Sequence, residues 1–194
     1  MEITVEVTSV PDVLLVRPQV FGDERGFFLE VFREDVHAGS SLPIDYVQLN
    51  HSGSVRNVLR GLHFQWDPPM GKLQRVLQGE AFLVAVDIRK NSPTLGKWFG
   101  RSITAESREM VYAPAGFARG FYALSEWVEI EYLCTGTYNG AAESEIAWND
   151  PQVGIEWPVS DPILSDRDAN AQTLATWLER PESDHLLFGR GEKT

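Results

Sequence analysis

Short segments in which apolar and polar residues alternate dominate this chain. The first is ITVEVTSV, and it is followed by GFFLEVF, DYVQLNHS, VLRGLHFQ, LQRVLQGEAFLVAVDI, WFGRSI, MVYAPAG, GFYAL and VEIEYLCTGTY. Glycine, proline, asparagine and aspartate separate these segments, as they do at turns. A period of two is the pattern of a strand with one buried face, so the sequence predicts strands over most of its length. The segment VLLVRPQVF contains a proline, which predicts an edge strand.

Two segments predict helices. One is the short FREDVHAG, and the other is DANAQTLATWLER, where Leu174, Trp177 and Leu178 recur at helical spacing. Many short strands with few helices predict an all-β fold, a jelly-roll sandwich or barrel. No change in composition and no repeat marks a second domain, so residues 1–194 are expected to form one domain, with 180–194 as a loose C-terminal tail.

Composition excludes several classes of function. Of the 194 residues, 43% are apolar, which is enough for a sizeable core, and the net charge of -11 argues against a nucleic-acid-binding surface. The single cysteine, Cys134, argues against internal disulfides and indicates a reducing compartment. The N-terminal segment has no basic region or cleavage site of a signal peptide, and no apolar run is long enough to span a bilayer. We therefore expect a cytoplasmic protein.

Motifs for nucleotide folds and metal sites are absent from the sequence. There is no glycine-rich phosphate loop and no alternation of strands with helices. His63 is followed by Phe64 and Gln65 rather than by a second ligand, and His51 is the residue that could join it. Because two histidines are too few ligands for a metal site, no metal or other cofactor is expected.

Charged and polar residues in strand contexts are the candidate chemistry. The stretch VLRGLHFQW places Arg60 and His63 three residues apart among apolar residues. Further candidates are Arg25, Gln48, Asn50, Lys72, Tyr132, Tyr138, Asp166 and Asp168. Each has an ordinary structural explanation: His63 as a core histidine, Tyr132 as a core aromatic, Asp168 as the N-cap of the following helix. Their combination favours a site, because a barrel interior can bring them together.

Longer motifs carry a resemblance to a known family. The segments FGDERGFFLE, QLNHS, NVLRGLHFQ, GKLQRVLQGEAFLVAVDIRKNSPTLGKW, GFARGF, WNDP, IEWP and LSDRDA resemble the dTDP-4-dehydrorhamnose 3,5-epimerase family, from about residue 10 to about residue 170. The resemblance implies a metal-free, cupin-type jelly roll that works as a homodimer. It also implies epimerisation of dTDP-4-dehydro-6-deoxyglucose at C3 and C5, beside its ketone, on the route to dTDP-L-rhamnose.

The resemblance also assigns roles to residues. It implies that His63 is the base, that Asp168 orients it, that Tyr132 is the acid and that Lys72 lies near the ketone oxygen. The residues implied to bind substrate are Arg25, Glu30, Gln48, Asn50, Arg60, Arg119, Tyr138, Glu143 and Arg167. The neighbouring subunit is implied to lend the GDERGFF residues, so Arg25 and Glu30 are expected to act across the interface. The apolar N-terminal stretch and the pair Phe27 and Phe28 predict a homodimer with N-terminal strand exchange.

Three positions depart from the family pattern, which has aspartate at Leu49 and Leu83 and histidine at Arg119. Arginine at position 119 is bulkier than histidine and cannot act as a base. Three alternatives therefore stay open: epimerisation at one carbon only, a related keto-sugar on another nucleotide, and a non-catalytic carbohydrate-binding jelly roll.

Overall fold

A computed structural model describes residues 2–189. Within these residues the chain forms thirteen strands: β1 Ile3–Val7, β2 Leu14–Pro18, β3 Val20–Asp23, β4 Gly26–Leu29, β5 Gln48–Val55, β6 Leu59–Gln65, β7 Lys72–Gln78, β8 Glu80–Asp87, β9 Trp98–Thr104, β10 Met110–Ala113, β11 Phe117–Ala123, β12 Trp127–Cys134 and β13 Glu143–Glu145. The helices are α1 Glu34–Ala38, α2 Asp166–Ala169 and α3 Leu174–Glu179, with 3-10 turns at Gly140–Ala142 and Pro181–Leu186. None of these helices has the length or apolar character needed to cross a membrane.

The strands form two antiparallel sheets and a separate hairpin. One sheet has the order β1-β2-β10-β7-β12-β5, the other has the order β13-β6-β11-β8-β9, and β3 pairs only with β4. The two sheets pack face to face over a core that includes Val76, Val111 and Ile130 from the first and Leu83 and Phe117 from the second. The expected all-β sandwich with a few short helices is confirmed.

Each sheet is also covered on its outer side. Leu62 and Phe64 of β6 pack with Leu174 and Trp177 of α3, so the C-terminal segment covers the five-stranded sheet. Val31, Leu42 and Tyr46, from the segment around α1, pack on part of the six-stranded sheet. The two faces of β6 therefore point to different places, one toward the C-terminal layer and the other into the space between the sheets.

The prediction of an edge strand for VLLVRPQVF is wrong. Residues 14–18 form β2, which lies between β1 and β10, and the chain then turns into the separate strand β3. Pro18 is the last residue of β2, opposite Ile3, so its missing N–H costs the ladder little there.

The helix predicted over DANAQTLATWLER is divided in two. Asn170 ends α2, and the Thr173 hydroxyl accepts a hydrogen bond from the Thr176 amide to begin α3. Between them the chain is extended, because the Ala147 amide donates to the Gln172 carbonyl at 2.8 Å. This pairing with a distant segment replaces the continuous helix.

The loose tail expected from residue 180 is wrong for residues 180–189. Residues 181–186 form a 3-10 helix, and Leu186 is buried. The Lys90 amide donates to the Leu186 carbonyl, and the Phe188 amide donates to the Lys90 carbonyl. The rest of the predicted tail, 190–194, lies outside the described residues.

Two glycines let β6 and β11 approach closely beside the site. Gly61 has φ +129°, and a Cβ there would lie 2.6 Å from Gly120 Cα and 2.9 Å from the Arg119 carbonyl oxygen. A Cβ on Gly120 would likewise lie 2.7 Å from the Arg60 carbonyl oxygen. Side chains are excluded from both positions because the obstacle in each case is main chain.

We expect Gly61→Ala to destabilise the protein by about 1–3 kcal/mol more than Gly26→Ala, measured by urea unfolding. Gly26 is the matched control because its φ is +130°, while a Cβ there meets nothing within 4 Å. Both variants carry the strain of positive φ, so the difference between their unfolding free energies measures the collision of the Cβ at position 61 with the main chain. Equal losses would contradict the close approach.

Candidate active site

A histidine–aspartate pair joins β6 to α2. His63 Nε2 lies 2.6 Å from Asp168 Oδ1. The aspartate side chain is 4% exposed, whereas that of the histidine is 28% exposed, so the imidazole reaches the open side of the pair. The Ser165 hydroxyl donates to Asp168 Oδ2 at 2.8 Å, which occupies the second carboxylate oxygen. Asp168 is thus buried, and both of its oxygens have partners.

The charge of Asp168 fixes the tautomer of His63. Burial alone raises the pKa of the Asp168 carboxyl, but hydrogen bonds from His63, Ser165 and the Gly61 backbone hold that pKa below its ordinary value. A carboxylate only accepts hydrogen bonds, so His63 Nε2 carries the hydrogen of this pair. The lone pair of the neutral ring is then on Nδ1, which makes Nδ1 the basic atom.

A phenol and an ammonium group lie on the facing sheet. Tyr132 is on β12 and Lys72 begins β7, and Lys72 Nζ lies 5.0 Å from the centre of the Tyr132 ring. Burial, and after it the nearby charge of Arg119, lower the pKa of Lys72 to about 8. Burial also raises the pKa of the Tyr132 phenol, so this group holds its proton firmly. The site therefore combines an imidazole, a phenol that keeps its proton and a buried ammonium group.

Amide side chains line the strand beside Tyr132. In the register of the sheet, Tyr132 lies opposite Asn50, and Cys134 lies opposite Gln48. Gln48 Nε2 donates to Asn50 Oδ1 at 2.9 Å, and Gln48 Oε1 accepts from the Tyr138 amide at 2.8 Å. The predicted position of Gln48 and Asn50 on one strand face is confirmed.

Charged residues form the rim of the site. Arg167 bonds to Glu143 and to Glu145, each at 2.6 Å, and the Tyr138 hydroxyl donates to Glu143 Oε2 at 3.1 Å. Arg60 donates from Nε to the Ser54 hydroxyl at 3.0 Å. The rim thus brings together residues from β6, β13, α2 and the loop after β12.

Some predicted residues lie outside this cluster. Arg25 is at the turn of the β3–β4 hairpin and pairs with Asp23, and Glu30 pairs with Arg33. Within residues 2–189 neither has an interaction with the groups around His63. Asp166 is exposed at the first turn of α2.

Two ordinary explanations do not fit the geometry. Asp168 is not a helix N-cap, because Ser165 caps α2 and Thr173 caps α3. His51 does not join His63, since it pairs with Glu129 at 3.0 Å on the exposed side of the sheet. In the described part of the chain, no group of three or more His, Cys, Asp or Glu side chains is arranged to hold a metal ion.

Sequence reasoning missed several supporting residues. Ser165 holds Asp168, and Gln65 ties β6 to the loop after β12 by donating to the Thr137 carbonyl at 3.0 Å. Cys134 is buried beside Lys72 and Arg119; burial raises the pKa of its thiol, and these two charges offset part of the rise. Two-residue alternation from His63 and Tyr132 is a signal that could have found Gln65 and Cys134.

Of the three departures from the family pattern, only Arg119 lies in the site. Leu83 is buried in the core between the sheets, and Leu49 is 56% exposed on the outside of β5. Arg119 lies opposite His63 in the sheet register, and its side chain is buried.

Comparison with known proteins agrees with this geometry. Residues 7–176 match the family model of dTDP-4-dehydrorhamnose 3,5-epimerase. The chain belongs to the dTDP-4-dehydrorhamnose 3,5-epimerase family. Members of this family are carbohydrate epimerases, and the two-sheet fold is the cupin fold of the family.

Individual relatives are similar over most of the chain. The dTDP-4-dehydrorhamnose 3,5-epimerase of Shigella flexneri is 49% identical over 167 residues, which are 85% of this chain and 92% of that protein. The one from Methanothermobacter thermautotrophicus is 47% identical over 170 residues, 86% of this chain and 92% of that protein. Among solved structures, the chain resembles dTDP-6-deoxy-D-glucose-3,5-epimerase from Legionella pneumophila, crystallised in complex with dTDP-4-keto-L-rhamnose. The two sequences are 39% identical, and the structures superpose with a TM-score of 0.87 over 96% of this chain and 98% of that chain.

We expect Asp168→Asn to reduce the acid sensitivity of folding. The pKa of Asp168 is lower in the folded protein than in the unfolded chain, where it is about 4. The carboxylate therefore stabilises the fold fully above pH about 4, and this stabilisation is lost as pH falls toward the pKa of the folded state. Between pH 6 and pH 3, the parent should lose about 1 kcal/mol more unfolding free energy than the variant, measured with urea. The exposed neighbour Asp166→Asn is the control and should follow the parent. An identical acid loss in parent and Asp168→Asn would contradict the pairing.

Proposed function

We propose that residues 1–194 form a single epimerase domain that inverts C3 and C5 of dTDP-4-dehydro-6-deoxy-D-glucose, giving dTDP-4-dehydro-L-rhamnose for dTDP-L-rhamnose biosynthesis. The single observation that carries the assignment of roles is the placement of base and acid. His63 of the five-stranded sheet is paired with Asp168 of α2, and Tyr132 is on the six-stranded sheet that faces His63. A sugar ring held between the sheets has one group on each face.

The base acts on a carbon beside the C4 ketone. His63 Nδ1 takes the proton, the C–H electron pair forms an enolate, and the ring becomes an imidazolium that the Asp168 carboxylate stabilises. Tyr132 then gives its phenolic proton to the opposite face of the same carbon, which inverts the centre. Exchange with solvent returns a proton to the phenolate and removes one from the imidazolium. The same pair of transfers at the second carbon completes the reaction.

Lys72 supplies positive charge for the enolate. It lies within 5.0 Å of the Tyr132 ring, at the end of β7 that faces the site. In a site with little water, a preorganised cation stabilises developing negative charge strongly, and removing one such group typically costs about 10²–10³-fold in rate.

The remaining residues suit the nucleotide. Arg60 and Arg167 have guanidinium groups that bind phosphate oxygens in pairs, and Tyr138 is an exposed ring able to stack on a base. Gln48, Asn50 and Glu143 provide polar contacts near Tyr132. Arg119 donates its hydrogen bonds to backbone carbonyls, so the substrate contact expected for it is not part of this assignment.

The alternatives predict different outcomes for one experiment. Incubation in heavy water with dTDP-4-dehydro-6-deoxyglucose gives deuterium at C3 and C5 for a double epimerase, at one carbon for a mono-epimerase, and at neither for a binding protein. Proton NMR reads all three results.

We place the enzyme in the cytoplasm, where a free buried thiol such as Cys134 stays reduced.

Two variants should separate proton removal from inversion in this assay. His63→Asn should lower exchange and inversion together by about 10²–10⁴-fold, because no base remains. Tyr132→Phe should keep exchange, since His63 can return a solvent proton to the same face, while inverted product largely disappears. His51→Asn, on the exposed side of the sheet, is the control and should match the parent. Inversion by Tyr132→Phe at the parent rate would mean that another group is the acid.

We further propose that the protein is a homodimer in which the β3–β4 hairpin reaches the partner. Phe27 and Phe28 of the hairpin are 56% and 60% exposed, and β5 is an open sheet edge with Leu49 also exposed. Apolar edges of this kind are normally covered. Strand exchange at the N-terminus stays a prediction; within the single chain, β1 pairs with β2. The hairpin would carry Arg25, and the following residue Glu30, toward the partner's site.

Phe28→Asp should therefore give a monomer in analytical ultracentrifugation and lose most activity. Val7→Asp is the matched control, since Val7 is equally exposed but lies on β1. It should stay dimeric and active. A Phe28→Asp variant that remains a dimer at micromolar concentration would contradict the hairpin interface, and a monomeric Val7→Asp would point to β1 instead.

A further inference from the structure

Arg119 is a buried cation without an acidic partner. Its side chain is on β11 and the residue is 4% exposed. The NH1 group donates to the carbonyls of Met70 at 2.8 Å, Ala113 at 3.2 Å and Pro114 at 3.4 Å. Among residues 2–189, no carboxylate forms an ion pair with it, and its Nε has no hydrogen-bond partner. Arginine is rarely buried in this way, because losing water around the charge is unfavourable unless an anion compensates.

The carbonyls that accept hydrogen bonds from Arg119 belong to residues next to Lys72, along the chain and across the sheet. Met70 is two residues before Lys72, in the loop that leads into β7. Ala113 is directly opposite Lys72 in the pairing of β10 with β7. One guanidinium therefore holds both the backbone just before Lys72 and the residue that pairs with Lys72 across the sheet.

We propose that Arg119 is a positioning residue for Lys72: its guanidinium fixes the backbone on both sides of that lysine and places a second positive charge behind the ammonium group. The inference rests on the proposed function, in which Lys72 stabilises the enolate. Arg119 then contributes to the positive field at the ketone oxygen without touching the sugar. This explains how a chain with arginine, where the family pattern has histidine, can keep the rest of the site.

The charges around Lys72 give this proposal a measurable consequence. Arg119 faces Lys72 from β11, Tyr132 and Cys134 face it from β12, and Glu143 faces it from β13. Burial is the largest cause of the lowered pKa of Lys72, about 8, and repulsion by Arg119 is the next. Burial lowers the pKa of Arg119 itself to about 10, so it stays charged while Lys72 titrates.

Lys72 loses its positive charge as pH rises. Lys72 is a cation below pH about 8 and stabilises the enolate there, and this stabilisation is lost as pH rises through that value. Removing the positive charge at position 119 removes the repulsion, so the titration of Lys72 should move to higher pH.

The direct test is NMR of lysine labelled with ¹³C at Cε, in a chain that has only four lysines. Lys72→Arg identifies the resonance. Arg119→Gln and Arg119→His both remove the charge near pH 8, and each should raise the titration midpoint of Lys72 by about one unit. Arg119→His keeps the family residue, so it remains informative if Arg119→Gln does not fold.

A matched control is Arg56→Gln, which removes an exposed arginine paired with Glu126 and should not move the midpoint. An unchanged midpoint in both charge-removing variants, or an equal shift in the Arg56 control, would overturn the proposal.

Kinetics provide the second readout. In Arg119→His, the alkaline limb of kcat should move up with the Lys72 midpoint, and kcat should fall by less than the ~10²–10³-fold typical of a lost direct donor. KM should change little. A raised KM with an unmoved Lys72 titration would mean that Arg119 touches the substrate and would overturn a positioning role. If the parent had no turnover at all, the proposed function would fail, and the lysine titration alone would still decide this inference.

Discussion

The hydrogen bond between His63 Nε2 and Asp168 Oδ1 connects the fold to the chemistry. It joins β6, in the middle of the molecule, to the C-terminal segment whose Trp177 packs on the other face of that strand. A buried carboxylate needs hydrogen-bond donors, and here the imidazole, Ser165 and the Gly61 backbone provide them. The same contact therefore holds the C-terminal segment against β6 and leaves Nδ1 as the basic atom of the imidazole.

The distribution of charge supports an anionic substrate. The whole chain carries a net charge of -11, yet Lys72 and Arg119 lie side by side between the sheets without a carboxylate bonded to either in the described residues. Low-dielectric walls concentrate such a local positive field, even in a protein that is acidic overall. Repulsion at the outer surface and attraction inside the cleft together favour a small phosphorylated ligand over a large polyanion.

Alternation identified most strands because each has one buried face, and the same alternation placed Gln48 with Asn50. The break between α2 and α3 was not visible in the sequence, because it depends on pairing of Gln172 with Ala147, distant in the chain. Asp168 alone has the pattern of an N-cap, so only the family resemblance related it to His63. Arg119 has no sequence signature for its role, since its partners are backbone carbonyls that every residue possesses.

The contact between Gly61 and Gly120 makes the position of His63 depend on the main chain. His63 follows two residues after Gly61, and Arg119 directly precedes Gly120, so strand separation rather than side-chain packing sets the distance between them. Neither glycine can accept a side chain unless the two strands move apart. Substitutions of other side chains around the cleft therefore leave the spacing of β6 and β11 at His63 unchanged as long as both glycines are kept.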